Sequence, residues 1–98
     1  MITIDLSLSS PLYAGCTIET VGGRANLATP VSEAVEIVGR NIQHIVASVD
    51  RKDRDTVVLT GPMAVWAYLV VFHAVVHAFR EVRYDDGRSG DVVIARHG

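Results

Sequence analysis

The chain has 98 residues, 49% of them hydrophobic and 20% charged, with a formal net charge of −2. That length predicts one domain, residues 1–98, and the missing basic excess argues against a general nucleic-acid binder, so no DNA partner is expected. A single cysteine, Cys16, leaves no internal disulfide and fits a reducing, cytoplasmic setting, where it reads as a small packed hydrophobe. So large an apolar share in so short a chain points either to a sheet covered by helices on both faces or to an oligomer interface.

Ile2, Ile4, Leu6 and Leu8 alternate with Thr3, Asp5 and Ser7, which predicts a strand with one buried face rather than a secretory signal. Ser9-Ser10-Pro11 breaks it, and Ala14 to Val21 reads as a second strand, alternating around Cys16, Ile18 and Thr20 and closed by Gly22-Gly23. Thr29-Pro30 starts a helix, with Thr29 as the cap and Pro30 in the first helical position. Val31, Val35, Val38, Ile42, Ile45, Val46 and Val49 carry that amphipathic helix to about Val49, and Gly39 within it predicts a close helix–sheet contact. Asp50 to Asp55 alternates in sign and reads as a solvated loop.

Thr56 to Thr60 is a short apolar strand suited to the middle of a sheet. Gly61-Pro62 turns the chain into a second helix that runs to about Phe79. Its apolar core, Met63 to Ala78, is interrupted by Tyr68, His73 and His77 and falls short of the roughly 20 residues of a membrane span, so a buried helix and no membrane partner are expected. Glu81 to Tyr84 is a strand, Asp85 to Gly90 a hairpin turn and Asp91 to Arg96 the last strand. The order is β-β-α-β-α-β-β: an α/β (α+β) domain with a mixed sheet and two helices, whose central β-α-β unit gives a parallel pair with a right-handed crossover.

Four groups of residues can carry chemistry. At Gly61-Pro62-Met63 a strand ends before a helix N-terminus, where free amides and the helix dipole favour an anion; an ordinary strand-to-helix turn accounts for the same residues, and no Walker lysine is present. Trp66, His73 and His77, seven and four apart, share one side of the second helix. Two histidines at i and i+4 can share a metal or a phosphate, or simply pack near a helix end. Tyr84 to Asp91 holds Asp85, Asp86 and Asp91, which are oxygen ligands for manganese or magnesium, together with Arg88, which can clamp a phosphate; a polar turn is rich in the same residues. His97 follows Arg96 at the basic tip of the final strand, a tip that is either frayed and inert or turned back toward the hairpin. Topology places the ends of the Thr56 and Glu81 strands on one rim of the sheet, the rim where open α/β sheets bind ligands. The histidines sit at the far end of a helix that spans roughly 22 Å, so a second copy of the chain is needed to join the two halves.

Val57-Val58-Leu59-Thr60-Gly61-Pro62, Trp66, His73, His77 and Tyr84-Asp85-Asp86-Gly87-Arg88 resemble the small manganese-dependent ring nucleases of type III CRISPR systems. The likeness covers most of the chain and is most specific over residues 57 to 97. It implies a ferredoxin-like fold, a homodimer, and degradation of cyclic tetra-adenylate held between two dimers, with catalytic parts from opposite ends. Members also act as manganese-dependent RNA deadenylases, so adenine-rich RNA is a second implied partner. The resemblance makes His73 or His77 the catalytic histidine, Asp86 (or its neighbour Asp85) and Arg88 the Asp-x-Arg pair, and Mn²⁺ the cofactor, with Mg²⁺ the alternative. Gly61, Pro62, Met63, Trp66, Arg88 and His97 are the expected ligand-binding residues, and Asp85, Asp86 and Asp91 the expected metal ligands. The reading from a different class is a non-catalytic oligomeric module that binds a cyclic nucleotide or another anion.

Overall fold

Short runs of β-branched residues set the frame. The computed structural model describes residues 1–97 and contains β1 (Ile2–Asp5), β2 (Ile18–Val21), β3 (Arg24–Leu27), α1 (Val31–Ala47), β4 (Thr56–Thr60), α2 (Val65–Val75), β5 (Glu81–Asp85) and β6 (Asp91–Arg96). One mixed sheet has the order β1-β4-β5-β6, parallel across its first three strands and antiparallel at the last pair. Both crossovers step the same way along the sheet, so right-handed connection puts α1 and α2 on the same face, where they pack on each other.

The result is a two-layer α/β domain. It shares with ferredoxin-like domains the layout of two helices on a four-stranded sheet, while its strand order follows the chain, because each helix joins parallel neighbours. The sheet is therefore not covered on both faces. Ile4, Leu6, Val57, Leu59 and Val82 face the helices and meet Val38, Ile42 and Val46 of α1 and Ala67, Val71 and Val75 of α2. The other face carries the alternate residues, among them Thr3, Thr56, Thr60, Glu81 and Arg83.

Several boundaries differ from the sequence expectation. The second strand starts at Ile18, not Ala14, and Pro11–Tyr13 forms one 3-10 turn before it. Gly22 and Gly23, at φ +58° and +78°, return the chain into β3, which pairs with β2 as a separate hairpin outside the main sheet. Thr29 does not cap α1: its hydroxyl accepts from the Thr17 amide at 2.7 Å, and Pro30 takes the cap position. α1 stops at Ala47, and α2 covers only Val65–Val75 because the chain turns on both sides of it. Gly39 faces α2, with Val70 Cγ1 3.9 Å from where its Cβ would stand, so the close approach is helix to helix. The charged loop is not wholly solvated, since Arg54 closes the end of α1 by donating to the carbonyls of Val46 and Val49 at 3.0 and 3.1 Å. Among the described residues no helix is long and apolar enough to cross a membrane.

Tyr13 ties the segment after β1 to the core. Its ring is 2% exposed, its hydroxyl donates to the Leu6 carbonyl, and burial pushes its pKa well above the usual value near 10. A raised folded-state pKa contributes stability that is complete below the unfolded value and is lost as pH rises beyond it. Tyr13→Phe leaves the Leu6 carbonyl without that donor and should lower stability at neutral pH by about 1 kcal/mol. In urea titrations the gap between wild type and Tyr13→Phe should narrow above about pH 10; a gap that stays constant through that range would show that Tyr13 does not titrate with unfolding.

Candidate functional site

The C-terminal rim of the parallel strands gathers the polar residues. Register sets Asp5, Thr60, Asp85 and Asp91 side by side in one row across β1, β4, β5 and β6. Thr60 Oγ1 donates to the Asp85 carbonyl at 2.9 Å, which fixes the end of β5 to the end of β4. Gly61 follows at φ +104°, and a Cβ there would lie 2.5 Å from Asp5 Oδ1 and 2.9 Å from the Ser7 amide. Only glycine tolerates both that backbone angle and that approach. The Tyr68 hydroxyl donates to the Gly61 carbonyl at 2.6 Å, and the Tyr68 ring meets Tyr84 edge-on, with centroids 5.5 Å apart.

These constraints open a cleft of about 530 Å³ lined by Thr60, Gly61, Pro62, Tyr84 and the Asp85–Arg88 turn. The structure thus brings together Gly61, Pro62, Asp85, Asp86 and Arg88 from two loops far apart in sequence. Asp86 Oδ1 accepts from the amides of Arg88 and Ser89 at 2.7 and 2.8 Å. Those two amides, Ser89 first, hold its carboxyl below the usual carboxylate range, so it is anionic at neutral pH. Asp85 Oδ1 accepts from the Gly87 amide at 2.8 Å.

Asp91 stands opposite Asp85 in the β5–β6 pairing but does not line this cleft. Its Oδ1 takes Arg83 Nη1 at 2.8 Å on the open sheet face, and among the described residues no three His, Cys, Asp or Glu side chains form a metal cage. Asp85 and Asp86 remain as two carboxylates on the cleft, the number that suffices for manganese or magnesium when phosphates and water complete the shell. Met63 turns away and lines a neighbouring apolar groove, and Trp66 packs against the core. The first turn of α2 begins at Val65, with Ala64 as its cap, so its free amides lie beyond Gly61-Pro62-Met63.

The remaining residues sit at the other end. His73 and His77 are exposed, their rings edge-to-face with centroids 6.2 Å apart. His97 shares a depression of about 250 Å³ with Arg80, Glu81 and Arg96, and its amide donates to the Arg80 carbonyl at 2.6 Å. Since α2 rises about 16 Å over its length, one chain holds the histidines and the Asp/Arg turn apart.

Asp5 was not singled out from the sequence. Its Oδ1 accepts the Ser7 amide at 2.8 Å and its Oδ2 the Ser7 hydroxyl at 3.0 Å, and Ser7 Oγ lies 3.0 Å from Ser9 Oγ. The available signal was position: Asp5 closes the first strand, and parallel pairing carries it to the rim where Thr60 ends.

Comparison with known proteins gives no matching family model, no matching curated protein and no matching solved structure.

Gly61→Ala should lower stability by more than about 1 kcal/mol, because alanine is strained at a positive φ and its methyl meets the Asp5 carboxylate. Gly87→Ala has the same type of backbone angle but open space around it and should cost less. Equal unfolding midpoints for the two variants in urea would show that the Asp5 approach does not constrain the rim.

Proposed function

We propose that this chain cleaves phosphodiester bonds in a cyclic oligoadenylate, cyclic tetra-adenylate foremost, with adenine-rich RNA as a related substrate, and that it does so as a homodimer or larger assembly. The observation that carries the reading is the rim cleft, where Gly61, Asp85, Asp86 and Arg88 converge while the exposed histidine pair stands at the opposite end. Separation of an anion-binding half from a proton-transferring half is what a site shared between copies requires.

The reaction is attack of a ribose 2′-hydroxyl on the adjacent phosphorus. The O2′–P bond forms, the P–O5′ bond breaks, and a 2′,3′-cyclic phosphate remains for later opening to a 3′-phosphate. His73 or His77 accepts the 2′-hydroxyl proton, and the other can return one to the departing 5′-oxygen. Arg88 binds the non-bridging oxygens, and the walls at Gly61 and Pro62 hold the phosphate in line for attack. Manganese, with magnesium the alternative, belongs to the proposal as a cofactor held by Asp85 and Asp86; when bound it supplies positive charge against the phosphate. Asp91 serves instead to orient Arg83.

Incubation of labelled cyclic tetra-adenylate with the protein, with Mn²⁺ or with a chelator, tests this directly. Cleavage that needs the metal is expected, and Asp86→Ala should abolish most of it while the circular dichroism spectrum stays unchanged. Binding without turnover would replace the reading with the non-catalytic module.

A complementation experiment tests the shared site. His73→Ala/His77→Ala and Asp86→Ala/Arg88→Ala proteins should each be inactive, and mixing them should restore part of the activity. Inactive mixtures of two folded, ligand-binding variants across a wide concentration range would leave the site within one chain.

A further inference from the structure

We infer that a second copy of this chain docks along β6, joining two four-stranded sheets edge to edge about a two-fold axis near Val93 and Ile94. The interface is argued from the surface alone; its consequence for the site rests on the function proposed above.

β6 and the four-residue β1 are the two edges of the sheet, and among the described residues the outer side of β6 is unpaired. An unpaired edge recruits another strand unless it is short, charged along its length or blocked by proline. β6 has six residues, no proline, and an uncharged centre, Val92-Val93-Ile94, that is 49%, 41% and 53% exposed. Beside it the helix layer stops early. α2 leaves Val65 and Leu69 73% and 63% exposed, and between these residues and Ile94 runs an apolar groove of about 480 Å³ floored by Leu59, Phe72 and Tyr84. Edge strand, groove and exposed helix residues are thus continuous, and none of the described residues covers them.

Charge fixes the partner as a second copy and sets the register. β6 begins with Asp91 and ends with Arg96, so antiparallel pairing with itself puts Asp91 of each chain opposite the partner's Arg96. Within the chain Asp91 holds Arg83 at 2.8 Å, and Arg96 holds Glu81 at 3.1 Å. The paired edges therefore extend both ion pairs into one row of alternating sign: Arg83, Asp91, the partner's Arg96, the partner's Glu81. In the same register Val92 meets the partner's Ala95 on the helix side. The β-bulge that leaves Ile94 outside the β5–β6 pairing lies beside the two-fold axis, where Val93 of each chain stands opposite the partner's Ile94. The two α2 helices then run antiparallel on one face of the joined sheet, each covering the apolar groove of the other copy.

This symmetry reverses the second sheet. The Asp85–Gly90 turn of one chain comes to the same rim as the partner's Arg96 and His97, and two strand spacings, roughly 10 Å, lead from there to the start of the partner's β5 and the His77 end of the partner's α2. The two halves of the proposed site, remote in one chain, meet twice in the dimer. The residue the partner contributes is its histidine.

Light scattering at tens of micromolar should give a dimer mass. Ile94→Lys and Leu69→Lys, both at exposed positions, should give monomers with unchanged circular dichroism. A protein carrying Asp91→Cys and Arg96→Cys should form a covalent dimer on mild oxidation, while neither single variant nor the wild type with its Cys16 should. In the mixing experiment, recovery should follow subunit exchange and level off at about a quarter of wild-type activity, since half the dimers are mixed and each has one intact site. A wild-type monomer at that concentration overturns the inference, as does a dimer that survives both lysine variants and gives no cysteine crosslink. A crosslinked dimer that leaves cyclic tetra-adenylate intact upholds the interface and removes the proposed function instead.

Discussion

Every feature of this protein depends on β4 being paired in parallel on both sides. Val57 and Leu59 are almost wholly buried against the helices, with Ile4 beside Leu59 from β1 and Val82 beside Val57 from β5. Parallel neighbours cannot be joined by tight turns, so each connection must climb over one face as a helix. Two such crossovers in the same direction put α1 and α2 side by side and leave the opposite face without a helix. A substitution that emptied the Val57–Leu59 layer would remove the shared floor of both helices at once.

Parallel pairing also gives the molecule two unlike ends. At one rim three strands terminate together, and the backbone must leave through turns that expose polar groups. Asp5, Thr60 and Asp85 collect there because each is the last residue of its strand. At the other rim α2 runs out, and its last turn carries His73, with His77 just beyond. The separation of carboxylates from histidines is thus a property of strand direction, and no rearrangement of side chains within one chain abolishes it.

Tyr84 links two environments at the polar rim. It walls both the polar cleft and the apolar groove, and its edge-on contact with Tyr68 connects it to the Gly61 carbonyl. The turn that carries Asp86 is organised by its own amides, and those hydrogen bonds hold Asp86 as an anion. Asp91 stands opposite Asp85 in the β5–β6 pairing, but its carboxylate accepts from Arg83.

The alternation of Ile2, Ile4 and Leu6, the β-branched run at Thr56–Thr60 and the spacing of Val38, Ile42 and Val46 determined the main strands, the long helix and the α/β class, because local periodicity decides which face of an element is apolar. Gly61 and the Asp85–Arg88 turn were legible as rim residues for the same reason. The β2–β3 hairpin was not, since Arg24–Leu27 is only four residues long, with Ala25 and Leu27 its sole apolar members, and is exposed nearly throughout. Helix ends shifted because Thr29 was drawn to the Thr17 amide by chain folding rather than by its own sequence position. Tertiary structure alone decided that both helices take one face of the sheet, that Asp5 stands against Gly61 and that Asp91 serves Arg83. Each of these depends on which strand lies beside which, and strand order is set by long-range burial that no local pattern encodes.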